Sequence, residues 1–195
     1  MDRLSALIIA VVAAAGCDSK QAEQTPSRTD VVKSGAHVKA TDVEAFCDVY
    51  TADDSGPELT LPELVGTVPP QPAGTWRWLN VWATWCEPCV AELPRLQRMK
   101  AKLAAGGRKV ELAFVSIDEK EDDITAFRKA HPDTPETARL AKLDNQGTWF
   151  SALGVQPATP IPLHVFVSPG GHIRCARAGG VSDADYDKID KLLSQ

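Results

Sequence analysis

The 195-residue chain has no basic block: 21 Lys and Arg stand against 26 Asp and Glu, for a net charge of −5. Without a basic stripe there is no electrostatic footprint for phosphates, and nucleic acid is excluded as a partner. There is no apolar run of the roughly 20 residues that a membrane-spanning helix needs; Leu4 to Ala15 stops well short. There is no phosphate-binding loop and no dinucleotide fingerprint, so the chain has no seat for a nucleotide or nicotinamide reaction. No second closely spaced Cys/His pair is present, which argues against a structural zinc site. No internal repeat is apparent. At 44% hydrophobic and 24% charged residues, the chain is neither largely disordered, collagen-like nor a multi-span membrane protein. Its length suits one domain with an appendage.

Cysteine is what the sequence has in excess, with five in the chain. The first, Cys17, follows an apolar stretch behind Arg3, which fits the h-region of a secretory signal. Ala14-Ala15-Gly16-Cys17 looks like a bacterial lipoprotein processing box. That resemblance implies a signal peptide over residues 1–16 and a lipidated Cys17 as the mature N-terminus. The alternative is ordinary cleavage after Ala13-Ala14-Ala15. Parity favours lipidation, because it leaves four cysteines in an oxidising compartment and no odd thiol. Residues 18–37 are polar and too poor in large apolar side chains to fold. Residues 17–57 are therefore expected to be a lipid-anchored tether and N-terminal extension. A short helix or strand is expected within 38–50, and turns at 53–57 and 69–74.

Beyond that point the pattern is regular. Trp76 to Trp82 is aromatic and β-branched and reads as a strand. Pro88 to Ala105 reads as a helix with Val90, Leu93, Leu96, Met99 and Leu103 on one face, ended by Gly106-Gly107. Val110 to Ile117 reads as a strand buried on both faces. Short helices follow at 124–130 and 146–153, then a hairpin of strands 163–167 and 172–176 around Pro169-Gly170-Gly171. A closing helix spans 183–193, with Ser182 and Asp185 spaced as a capping box. The order β-α-β-α-(α)-β-β-α predicts an α/β domain with a mixed sheet.

Cys86-Glu87-Pro88-Cys89 lies where a strand gives way to a helix. Residues three apart in a first helical turn share a side, so the two sulfurs can form a disulfide. Unpaired N–H groups and the helix dipole favour a thiolate there. Pro88 suits a first turn, where no N–H is needed. Cys86, at the tip, is the expected nucleophile, and Cys89, one turn inward, the resolving thiol. The Glu87 charge opposes the helix effect, so Cys86 is expected to be only moderately acidic.

The stretch Trp82-Ala83-Thr84-Trp85-Cys86-Glu87-Pro88-Cys89-Val90-Ala91-Glu92-Leu93-Pro94 resembles the W-A-x-W-C-x-P-C-x-x-E-x-P signature of thioredoxin-like proteins of the TlpA/ResA type. These are extracytoplasmic thiol-disulfide oxidoreductases, often membrane-anchored. Ile161-Pro162-Leu163-His164-Val165-Phe166-Val167 with Gly171 looks like the cis-proline strand and glycine turn of that fold. The resemblance covers residues 58–195 and implies a thioredoxin fold there. It makes Pro162 the cis-proline opposite the disulfide and Ile161 a backbone partner for a substrate strand. It makes Glu92 the acid that takes the proton of Cys89. Asn80 stands where thioredoxin itself has a buried Asp, which is normal for this branch. His164 replaces a common Thr; a strand-face histidine with a structural partner is expected. Trp82 and Trp85 are expected to pack around the cysteines, with Trp85 also meeting substrate, and Trp76, Trp78 and Trp149 to serve packing.

Cys47 and Cys175 remain. Compartment and parity point to a second, structural disulfide; two separate buried thiols are the alternative. The reading is a disulfide reductase, with the dithiol as its redox group and no other cofactor. It would act as a membrane-anchored, periplasm-facing lipoprotein monomer on exported protein disulfides, apocytochrome c among them. A membrane thiol carrier would supply its electrons. A thiol oxidase or isomerase would use the same motif, because C-x-x-C does not set direction. A copper carrier using Cys86, Cys89 and His164 is the other class of function. A peroxidase ranks lower, since its reactive cysteine would need another local setting.

Overall fold

The computed structural model describes residues 41–195. The signal peptide over 1–16, the lipidation site Cys17 and the polar tether up to residue 40 lie outside the described residues. The central strand β3, Trp76–Trp82, has all seven residues buried. It is sandwiched between β4 (Val110–Ser116), which runs parallel to it, and β6 (Leu163–Val167), which runs antiparallel. A strand flanked on both sides and covered on both faces is mostly apolar, as its aromatic content announced, and Arg77 and Asn80 are the two polar residues it buries.

The other elements in chain order are helix α1 (Asp42–Phe46), β1 (Val49–Tyr50), β2 (Leu64–Val65), α2 (Glu87–Ala105), α3 (Glu121–Ala130), β5 (Ala138–Leu140), α4 (Gln146–Ala152), β7 (Ile173–Ala178) and α5 (Tyr186–Leu192). Together the strands make one mixed sheet in the order β1-β7-β6-β3-β4-β5-β2. The β3–β4 and β4–β5 pairs are parallel, each joined by a crossover helix, and the β6–β7 hairpin is antiparallel.

Two short strands have no counterpart in the sequence reading. β2 and β5 are two and three residues long, too short to show a period. β1 pairs with β7, so the end of the expected N-terminal extension is built into the sheet and is not tether. The 38–50 segment resolves into α1, capped by the Thr41 hydroxyl accepting from the Glu44 amide, followed by β1. The closing helix is a 3-10 turn at Asp183–Asp185 running into α5, with the Ser182/Asp185 capping box formed.

The buried face of α2 carries Cys89, Glu92, Leu93, Leu96, Met99 and Leu103. Val90, expected on that face, is only half-buried, and a carboxylate takes the inner position. Pro94 sits inside the helix; it has no N–H to offer the Val90 carbonyl one turn earlier.

Candidate active site

Cys86 caps the N-terminus of α2: its sulfur accepts from the Cys89 amide at 3.3 Å. Cys86 and Cys89 are joined as a disulfide with Cα atoms 5.2 Å apart. Cys89 is fully buried, Cys86 keeps 6% of its surface, and Trp85 is 66% exposed. Glu87 and Pro88 are also exposed. The disulfide therefore opens to solvent only on the Cys86 side. There it borders a shallow groove lined by Trp85, Pro88, Gln146, Pro160 and Ile161. The Ile161–Pro162 peptide is cis, and the Ile161 carbonyl oxygen lies 3.9 Å from Cys86 Sγ.

The two tryptophans of the motif part ways. Trp82 is fully buried, donates to Thr137 Oγ1 at 3.1 Å and meets Phe127 edge-on. Trp85 is largely in solvent, at the rim of the groove that Cys86 also lines. The difference follows from position: Trp82 ends a central strand, whereas Trp85 is at the tip of the loop.

Beneath the disulfide lies a polar cluster with almost no access to water. Asn80 of β3 and His164 of β6 are directly opposed in the antiparallel register, so their side chains share one face. Glu92 of α2, 1% exposed, lies over them. Asn80 Nδ2 donates to Glu92 Oε1 at 3.0 Å, and the Val181 amide donates to Oε2 at 3.0 Å. His164 Nε2 is 3.3 Å from Oε1. Trp78 Nε1 donates to His164 Nδ1 at 3.1 Å, so Trp78 is more than packing. One turn along α2, Arg95 donates to the Val181 carbonyl at 2.9 Å, which grips the same loop. Cys89 is three residues before Glu92 on the same buried face.

A second buried carboxylate, absent from the sequence reading, holds the loop that carries Cys86. Asp118 has no exposed surface. It accepts from the Thr84 amide at 3.0 Å, the Thr84 hydroxyl at 2.6 Å and the Ser116 hydroxyl at 2.5 Å. Sequence offered no signal, because Thr84 and Asp118 meet only through the parallel pairing of β3 with β4.

Cys47 and Cys175 are bonded across 128 residues, tying the end of α1 to β7. This bridge belongs to the scaffold at the β1 edge of the sheet. Among the described residues no group of three or more His, Cys, Asp or Glu side chains is arranged for a metal ion. His164 is in contact with Trp78, Asn80 and Glu92.

The family model described as the AhpC/TSA family matches residues 46–176. The chain is 29% identical over 161 residues to thiol-disulfide oxidoreductase ResA of Oceanobacillus iheyensis, across 75% of this chain and 73% of that protein. It is 30% identical over 117 residues to the thiol:disulfide interchange protein DsbE homolog of Paracoccus denitrificans, across 55% of this chain and 53% of that protein. Among solved structures, the thioredoxin-related protein from Neisseria meningitidis serogroup B aligns with a TM-score of 0.51 at 25% identity, over 63% of this chain and 87% of that one. The fold is thus thioredoxin-like, as the motif implied.

Proposed function

This chain belongs to the AhpC/TSA family, and from that premise we propose that it is a thiol-disulfide oxidoreductase of the ResA/DsbE kind, working as a disulfide reductase. The observation that carries the reading is the Cys86–Cys89 disulfide at the N-terminus of α2, open to a groove on the Cys86 side alone. In the reduced protein, Cys86 is the thiolate that attacks a substrate disulfide, favoured by the helix N-terminus. One substrate sulfur leaves and takes a proton, and a Cys86–substrate disulfide forms. Cys89 then gives up its proton to Glu92 and attacks Cys86. The Cys86–substrate bond breaks, the second substrate sulfur leaves and takes a proton, the substrate departs as a dithiol, the chain keeps the Cys86–Cys89 disulfide, and two electrons have passed. Ile161, beside Cys86, offers its backbone to a substrate strand, and Trp85 offers an apolar wall.

The dithiol is the redox group, and a thiol-carrier protein in the membrane returns the electrons. The substrates are exported proteins with disulfides, apocytochrome c among them. Processing at Cys17 gives the chain its lipid anchor, and residues 18–37 hold the domain off the membrane, outside the cytoplasm.

The test is the reduction potential of Cys86–Cys89, by equilibration with a thiol buffer of known poise. A value near that of thioredoxin, about −270 mV, supports a reductase supplied by a donor. A value near −120 mV makes the protein an oxidant and removes the cytochrome-maturation reading.

A further inference from the structure

His164 is a fully buried titratable group that the steps above leave unused. An indole N–H can only donate, so the 3.1 Å contact from Trp78 Nε1 requires His164 Nδ1 to be an acceptor. Asn80 Nδ2 approaches the same nitrogen at 3.4 Å, a second donor with the same demand. The imidazole therefore carries its hydrogen on Nε2. That nitrogen is buried without a well-aligned hydrogen bond. Glu92 Oε1 lies 3.3 Å from it. A small shift of the carboxylate converts this contact into a hydrogen bond.

We propose that His164 is the positioning residue for Glu92. Locked in one tautomer by Trp78, it presents an N–H to Oε1 and favours the carboxylate form that receives the Cys89 proton. The inference rests on the reading of Glu92 as that acceptor. The groups around the carboxylate are Asn80 from β3, His164 from β6, the Val181 amide from the loop after β7, and Cys89 from its own helix. The nearest fixed cation along α2 is Arg95, which is spent on the Val181 carbonyl. His164 is thus the one titratable side chain on another element that approaches the carboxylate among these contacts. A donor to the charged form of an acid favours that form. Loss of the N–H leaves Asn80 as the one side-chain donor facing Oε1 among these contacts.

The experiment measures the rate at which Cys89 resolves a preformed Cys86 mixed disulfide, as a function of pH, in the full chain. Four proteins are compared: wild type, Glu92→Gln, His164→Gln and His164→Asn. A Gln amide can reach the position of Nε2 and still donate to Glu92. An Asn amide reaches only the position of Nδ1 and satisfies Trp78 alone. The expected result is resolution slowed about tenfold at neutral pH in His164→Asn, the effect of losing one hydrogen bond to a charged group, with a displaced pH profile, and both restored in His164→Gln. Equal profiles for all the histidine variants and wild type overturn the proposal, as does an equal displacement in both variants. Unchanged resolution in Glu92→Gln removes the Glu92 reading itself, a separate failure. Nitrogen-15 chemical shifts of His164 in the unmodified protein test the premise without a variant: a proton on Nδ1 overturns it.

Discussion

Removing the Cys47–Cys175 bridge should destabilise the domain without disturbing its active site. The bridge joins residues 128 apart. In the chain-entropy model a loop of that size restricts the unfolded chain by about 17 cal/mol/K, or about 5 kcal/mol at 25 °C. Measured bridges give about 2–4 kcal/mol more often than the full amount. The native segment has other anchors that survive the substitution. The Asp48 amide donates to the Ala176 carbonyl, the Thr51 amide to the Arg174 carbonyl, and Arg177 to the Phe46 carbonyl. The loss should therefore fall mainly on the unfolded state, leaving the native contacts of α1 and β1 in place. For a domain of this size each kcal/mol moves Tm by about 2–4 °C. The Cys47→Ala/Cys175→Ala protein should melt about 5–15 °C below wild type by circular dichroism, with Cys86–Cys89 kept oxidised. Its Cys86–Cys89 potential should match wild type. A Tm within about 2 °C of the oxidised wild type would refute the reasoning.

Three further outcomes follow from particular contacts. Burial pushes the Asp185 carboxyl up, but hydrogen bonds from Lys188 and Ser182 outweigh it and hold the group down to about 2. A depressed carboxylate contributes stability above its unfolded value near 3.8 and loses it as pH falls toward 2. Asp185→Asn should thus cost at most about 2 kcal/mol at pH 7 in chemical unfolding, with the gap to wild type closing between pH 4 and pH 2. Trp85→Ala should raise KM for a protein disulfide several-fold at unchanged kcat, and move stability by less than about 0.5 kcal/mol, since the side chain stands in solvent. Gly56→Ala should destabilise by more than about 2 kcal/mol in the same unfolding assay, because its Cβ would fall 2.1 Å from the Ile173 carbonyl oxygen.

The elements that could be read from sequence are those whose signal is local. β3, β6 and α2 announce themselves through aromatic content, hydrophobic runs and a 3.6-residue period. β2 and β5 are invisible because two or three residues carry no period, and they become strands only when a neighbour supplies hydrogen bonds. Periodicity puts Val90 on the buried face of α2, whereas Val90 is half-buried and Glu92 is buried there. No hydropathy pattern places a carboxylate in a core; three polar groups from distant segments make that position tolerable. Trp82 and Trp85 are three residues apart in one motif, yet one is core and the other solvent.

The sequence alone pointed to the chemistry: two cysteines at a strand-to-helix junction, with a proline between them, can close a disulfide within one helical turn. Those properties depend on neighbours within one helical turn, where chain connectivity sets the geometry. Only the tertiary structure decided what stands under that pair. The cluster of Trp78, Asn80, Glu92 and His164 spans 86 residues of chain. It exists because antiparallel pairing sets Asn80 opposite His164 and α2 folds back over both. Pairing register and helix docking are set by burial of the whole sheet, which no local stretch of sequence encodes.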